Sequence, residues 1–290
     1  MGFTNFHGHT HYCDGKGRAE EYAEAAIAQQ MPAYGFSSHA PIPFEVAWTM
    51  KESEAEKYVA EVRNAKAQYA DQLQIYTGLE VDYIPEVAGP GHERIRKLGL
   101  DYTVGSVHFV DFFPNGHPWE IDGKHALFLE GLERIFKGDT PKAIERYYSL
   151  IRQMVVEDPP DIVGHLDKIK MQSEEGDLFS EESSWYRDAV EETLQVIQKK
   201  GLITEVNTRG IYKKKTVDPY PSPWILERMK ALDIPIMLNS DAHHPREITA
   251  CFEETANLLL DIGYDHCRVL LDGKWQDVAL TTKGIHYVPS

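Results

Sequence analysis

Short apolar or β-branched runs alternate with longer stretches of helical period along most of the 290 residues. The runs are Phe3–Phe6, Ala33–Ser37, Gln74–Val81, Tyr102–Val107, Asp161–Gly164, Ile203–Asn207 and Ile234–Leu238. Near-continuous apolar runs of this kind suit strands buried on both faces, as in a parallel sheet. Helical patterns follow over Arg18–Gln30, Lys51–Ala70, His92–Leu98, Pro141–Val155, Glu181–Lys200, Pro223–Leu232 and Pro245–Ile262. Thr140-Pro141 and Ser222-Pro223 each offer an N-cap followed by proline at the first helical position, and Gly201 stands where a C-terminal glycine closes a helix. Seven β–α alternations predict one α/β domain over residues 1–290, built as a parallel, TIM-like barrel. An open doubly wound sheet is the alternative, because periodicity does not show whether a sheet closes. Two stretches leave the alternation. Residues 109–139, rich in aromatics, read as a long loop that is either a lid or an excursion packed on the barrel, and 267–290 read as a terminal hairpin and tail turning at Asp272-Gly273.

Composition narrows the class. The chain has 42% hydrophobic residues, enough for a large core, and no run near the ~20 apolar residues that cross a bilayer. Its start lacks the charged and apolar regions of a signal peptide, and three scattered cysteines (Cys13, Cys251, Cys267) do not make a disulfide framework, so a reducing cytoplasm is expected. Thirty Lys+Arg against 46 Asp+Glu give a net charge of −16. That balance argues against nucleic-acid binding, and an anionic substrate would need a local positive centre.

Candidate chemistry gathers at the ends of the predicted strands. His7 and His9 follow the first, His39 the second, Glu80 ends the third, His108 the fourth and His165 the fifth. Arg209 follows the sixth, and Asp241 and His243 the seventh. The C-terminal rim of a parallel barrel is where such ends converge. One zinc takes about four ligands, so this many imidazoles and carboxylates imply two or three divalent ions. The donors suit zinc, manganese and iron alike. Asp14 lies close behind His9; His11, Cys13 and His244 neighbour the donors, with His244 a candidate substrate contact. His92, His117, His125, His266 and His286 fall off the strand ends and read as surface histidines.

These residues resemble a known family. His7-x-His9-Thr10, Asp14-Gly15, His39, Glu80, Gly105-Ser-Val-His108, Gly164-His165 and Ser240-Asp241-Ala-His243 are similar to the polymerase-and-histidinol-phosphatase (PHP) superfamily. Gly78-Leu-Glu80, Gly105-Ser-Val-His108-Phe109 and Val206-Asn-Thr-x-Gly210 resemble its histidinol-phosphate phosphatase branch. The resemblance runs from about Asn5 to Pro245 and implies a distorted (β/α)7 barrel with a trinuclear metal centre. It implies one ion on His7, His9, Glu80 and Asp241, a second on His39, His243 and Asp14, and a third on Glu80, His108 and His165. Many relatives carry histidine where this chain has Gly15, which makes Asp14 the substitute ligand and His11 the reserve. The implied reaction is hydrolysis of a phosphate monoester, L-histidinol phosphate, in histidine biosynthesis. Arg209 would clamp the phosphate, Lys168 and Lys170 would add charge, and Asp241, His243 or a metal-bound water would serve the leaving oxygen. Asp82, Tyr83, Trp119 and Glu120 are candidates for the cationic end of that substrate. A phosphodiesterase or exonuclease, or a non-catalytic metal-binding regulatory protein on the same scaffold, are the alternatives.

Overall fold

A computed structural model describes residues 2–173 and 176–287. Six strands form one parallel sheet in the order β1-β2-β3-β6-β7-β8. They are β1 (Ala33–Phe36), β2 (Gln74–Asp82), β3 (Tyr102–Ser106), β6 (Ile162–Val163), β7 (Ile203–Asn207) and β8 (Ile236–Asn239). Each lies within or beside a predicted run, and all are almost wholly buried, which fits strands covered on both faces. Helices α1 (Ala19–Ala28), α2 (Ala55–Gln68), α5 (Thr140–Glu157), α6 (Ser184–Lys200), α8 (Pro223–Ala231) and α9 (Phe252–Ile262) fill the connections. Short turns α3 (Glu93–Arg96) and α7 (Arg209–Tyr212) complete the series around the sheet.

The first predicted strand is the main difference. Residues 3–8 form no ladder strand; they lie between β1 and the end of β8, bridged in parallel at Asn5–Tyr34 and Gly8–Ala242. This segment joins the two edges of the sheet, so the curl closes through bridges rather than through a seventh full strand. The reason is visible in its amides. Asn239 Oδ1 accepts from Phe6 N at 2.7 Å, Asn5 Oδ1 from His7 N at 3.1 Å, Ser37 Oγ from Gly8 N at 3.2 Å and Ser38 Oγ from Thr10 N at 3.0 Å. Side-chain oxygens thus take the donors a ladder would have used, which satisfies them as well while freeing the backbone from strand register.

Tyr102 locks this closure. Its hydroxyl donates toward two carbonyls, Phe6 O at 2.7 Å and Phe36 O at 3.0 Å, and so ties the N-terminal segment to β1. The ring needs room that only glycine leaves: a Cβ on Gly78 would stand 2.6 Å from Tyr102 Cζ and 2.7 Å from Cε1. Because the whole ring lies against the position and its hydroxyl is anchored, it cannot rotate clear. Gly78→Ala is therefore expected to cost about 2 kcal/mol or more, in the range of an overpacked core. A urea titration checks this, and an unchanged midpoint would show that Tyr102 has space to move.

Residues 109–139 fold instead of looping. β4 (Phe109–Phe112) and β5 (Pro118–Glu120) pair antiparallel, and α4 (His125–Phe136) follows. Trp119 is fully buried, with ring centroids 5.0 Å from Phe128 and 5.3 Å from Phe136. Trp119, Phe128 and Phe136 thus join the main core beside Tyr147 and Ile151, so the segment packs on the sheet and its helices. The terminal hairpin is as expected: β9 (His266–Leu271) and β10 (Lys274–Thr281) pair across Asp272-Gly273, both at positive φ, and β11 (Gly284–His286) adds a third strand. Residues 288–290 of the expected tail and Met1 lie outside the described residues.

Helix ends show smaller shifts. Asp139, not Thr140, caps α5, its carboxylate accepting from Lys142 N at 3.1 Å. The Pro245–Ile262 pattern splits into a 3-10 turn at Pro245–Glu247 and α9, separated by Cys251 at φ 59°. Among the described residues no helix is long and apolar enough to cross a membrane.

Candidate metal centre

The predicted donors do converge. His7 and His9 come from the bridging segment, His39 from just past β1, Glu80 from β2, and His108 and His165 from just past β3 and β6. Asp241 and His243 follow β8, and Arg209 follows β7. All of these leave the sheet at its C-terminal edge, as a parallel arrangement requires. Donor atoms of His9, Asp14, His39 and His243 lie within 4.8 Å of one another, as do those of His7, His9 and Asp241, and those of His39, Glu80 and His108. Glu80 is the hinge of the set: Oε2 is 2.9 Å from His39 Nδ1 and 3.2 Å from His7 Nε2, and Oε1 is 2.9 Å from His165 Nε2.

The residues fit bound cations on a physical test. Buried polar atoms without a hydrogen-bond partner concentrate here: His7 Nε2, His9 Nε2, His39 Nδ1, His165 Nδ1, Glu80 Oε2, Asp14 Oδ1 and Asp241 Oδ1. Stranding this many polar atoms in a core is costly, and divalent ions are the partners this donor chemistry takes. Electrostatics agree. Burial alone would raise the Glu80 and Asp241 carboxyls, yet His39, His7 and His108 around Glu80, and His7 and Arg209 around Asp241, hold both well below the usual carboxylate range. Burial and the neighbouring His243 and His39 hold His9 well below its ordinary value, leaving a neutral ring that can ligate.

A layer of partners orients these rings. Glu205 in β7 accepts from His7 Nδ1 at 2.6 Å, from His165 N at 2.9 Å, and from Asn207 and Asn239 Nδ2 at 3.0 Å each. Asp82 sits 2.9 Å from His108 Nδ1. Such carboxylates fix which ring nitrogen faces the ion. Glu205 is absent from the strand-end pattern, although a charged residue inside Ile203–Asn207 is itself a signal, since buried acids are rare unless paired. Asp82 shows through spacing: two residues beyond Glu80 on one strand, it shares that face.

Several expected roles change. Asp82 is buried against His108, the Tyr83 hydroxyl donates to Glu157, and the Trp119 indole donates to Phe128 O, so only Glu120 of the four candidates for a cationic substrate end reaches the cavity. Lys170 is fully engaged away from it, donating to Pro219 O at 2.7 Å and Ser222 Oγ at 2.6 Å and pairing with Asp167 at 3.0 Å. Ser222 spends its hydroxyl there rather than as a side-chain cap of α8. His244 accepts from Arg246 N across its own turn and does not line the cavity, and His11 faces Glu61 instead of the donors. Cys13 stays a neutral thiol, pushed up to about 12 by burial and Asp14, with Sγ 3.6 Å from His9 Nδ1.

A cavity of about 700 Å³ opens over the donors, within the range of small-molecule sites. Arg209, Lys168, Lys213 and Lys215 bring cations to it; Trp48 and Glu120 bring an aromatic face and an acid. The Trp48 indole donates to Glu120 Oε2 at 3.0 Å and stacks on Phe109. Arg209 is braced by bonds from Nη1 to Asp241 O at 2.8 Å and to the Tyr212 hydroxyl at 3.2 Å.

Comparison with known proteins places this architecture. The PHP domain description matches residues 5–209. The chain belongs to the PHP domain family. It is 29% identical over 269 residues to the histidinol-phosphatase of Bacillus subtilis, covering 85% of this chain and 96% of that relative. A Listeria monocytogenes chain shares the fold at TM-score 0.73 and 24% identity, over 87% of this chain and 99% of its own. A Lactococcus lactis histidinol phosphate phosphatase, solved with zinc, L-histidinol and phosphate, shares it at TM-score 0.70 and 18% identity, over 98% and 99%. The PHP fold is thus a curled parallel sheet here, as the strand pattern suggested.

Proposed function

We propose that this chain is a metal-dependent phosphomonoesterase that hydrolyses L-histidinol phosphate to L-histidinol and phosphate. One observation carries the reading: imidazoles and carboxylates stripped of hydrogen-bond partners form the floor of a cavity that holds both a cationic cluster and an aromatic-acidic one. A phosphate ester with a cationic remainder needs both. The relatives named above support this substrate over a nucleic acid, and so does a charge of −16, which opposes a polyanion.

When bound, two or three divalent ions would supply Lewis acidity and an activated water for attack on phosphorus. His7, His9 and Asp241 would hold one; Asp14, His39 and His243 a second; Glu80, His108 and His165 a third. Arg209 would take the phosphate: its Nη1 is spent on Asp241 O and Tyr212, which aims the planar group, and Nη2 has no partner among the described residues. Asp241, held ionised by His7 and Arg209, belongs among the ligands rather than the proton donors. Glu120, held by the Trp48 indole, would meet the substrate's ammonium.

Phosphate release from L-histidinol phosphate, set beside nucleoside monophosphates and single-stranded DNA, tests the reading. The expected result is turnover of histidinol phosphate alone, lost on chelation and restored by zinc, manganese or iron. Full activity in the metal-stripped protein, or a preference for nucleotides, overturns it.

A further inference from the structure

Lys168 stands in an unusual place. Its side chain is only 6% exposed, and its ammonium lies 3.3 Å from His108 Nε2 and 2.7 Å from Asp122 Oδ2. The Asp82 carboxylate, 2.9 Å from His108 Nδ1, favours the tautomer with its proton on Nδ1 and its lone pair on Nε2. That lone pair is the one His108 would offer an ion, in company with Glu80 Oε1, which lies 3.7 Å from Nε2 and 2.9 Å from His165 Nε2. A neutral imidazole nitrogen has one lone pair, which either accepts from an ammonium or ligates a cation but cannot do both. Two positive charges at one nitrogen would also repel strongly in a buried basin.

We propose that Lys168 is an internal competitor for the cation at His108: its ammonium and an ion claim the same ring nitrogen, so ion binding there drives the ammonium off toward Asp122 and the cavity. Lys168 already has Asp122 as a second partner, and the cavity it lines is where a phosphate would arrive. Loading therefore does two things at once. It completes the centre and releases a cation for substrate, so that productive phosphate binding follows the ions. This extends the reading that the basin holds divalent ions.

Zinc affinity, measured by competition with a chelating indicator on the metal-stripped protein, tests it without reference to turnover. Lys168→Met is expected to bind its weakest zinc about tenfold tighter than the parent, because a competing charge is gone. Asp122→Asn is expected to loosen that zinc in the parent and to have little effect when combined with Lys168→Met, since Asp122 acts through the lysine. A residue that only supports the fold or only contacts phosphate would leave zinc affinity unmoved or weaken it. Unchanged or weaker binding in Lys168→Met with retained zinc stoichiometry overturns the proposal alone. A parent chain that takes up no zinc overturns both this proposal and the functional reading beneath it.

Discussion

Glu80→Gln is expected to lower histidinol phosphate turnover by at least ~10³-fold and to reduce the ions bound per chain. The size follows from what one carboxylate does. Its two oxygens lie 2.9 Å from His39 Nδ1, 3.2 Å from His7 Nε2, 3.5 Å from His9 Nε2 and 2.9 Å from His165 Nε2, so it touches donors of every group. Glutamine keeps the shape and a bond to Ser106 Oγ, which the carboxylate accepts at 2.6 Å, but it carries no charge and turns an NH₂ toward nitrogens that need a cation. Losing a single preorganised electrostatic group costs an enzyme ~10²–10³-fold, and this one serves more than one ion. Elemental analysis paired with kcat decides. Full metal content with activity within ~10-fold of the parent would show that Glu80 is a bystander.

Glu80 is legible in the sequence because of where it stands on its strand. A parallel sheet sends all strand C-termini to one edge, so residues far apart in sequence need only share a strand-end position to share a site. Strand ends are marked by the change from apolar runs to Gly, Ser and His, as in Gly105-Ser106-Val107-His108, and the histidines could be placed from that pattern alone. What stayed hidden depends on side-chain reach. Lys168 and Lys170 are two residues apart, yet the first lines the cavity while the second turns away to Asp167 and Ser222. Nothing in their spacing distinguishes them, because a 3-10 turn over Lys168–Gln172 decides which way each points. Trp48 is likewise silent, since its loop position acquires meaning only when Glu120 arrives from β5. The closure of the sheet is hidden for a related reason: residues 3–8 have a strand's composition, but the amides of Phe6, His7 and Gly8 are claimed by the side chains of Asn239, Asn5 and Ser37.

Glu205→Ala is expected to damage both stability and metal affinity, although Glu205 belongs to none of the three close donor groups. Burial favours its neutral form, but His7 and His165 hold the carboxyl below its ordinary value, so it is a buried anion with partners on each oxygen. Truncation leaves His7 Nδ1, the His165 backbone N–H and Asn239 Nδ2 without an acceptor, and leaves Asn207 Nδ2 only Asp241 Oδ2 at 3.4 Å. Breaking a buried charged pair costs about 3–5 kcal/mol, and each stranded donor adds to it. Freed to rotate, His7 would no longer present Nε2 to the basin, and loss of such an orienting partner weakens metal binding ~10–100-fold. Glu205→Gln separates the two effects. Its single carbonyl can still accept from His7, so most of the folding loss should be recovered, while the imidazole loses the charge that raises its basicity. Urea midpoints and zinc titrations of both variants provide the check: equal metal affinity in parent, Gln and Ala forms would mean that His7 is oriented by packing against its neighbours instead.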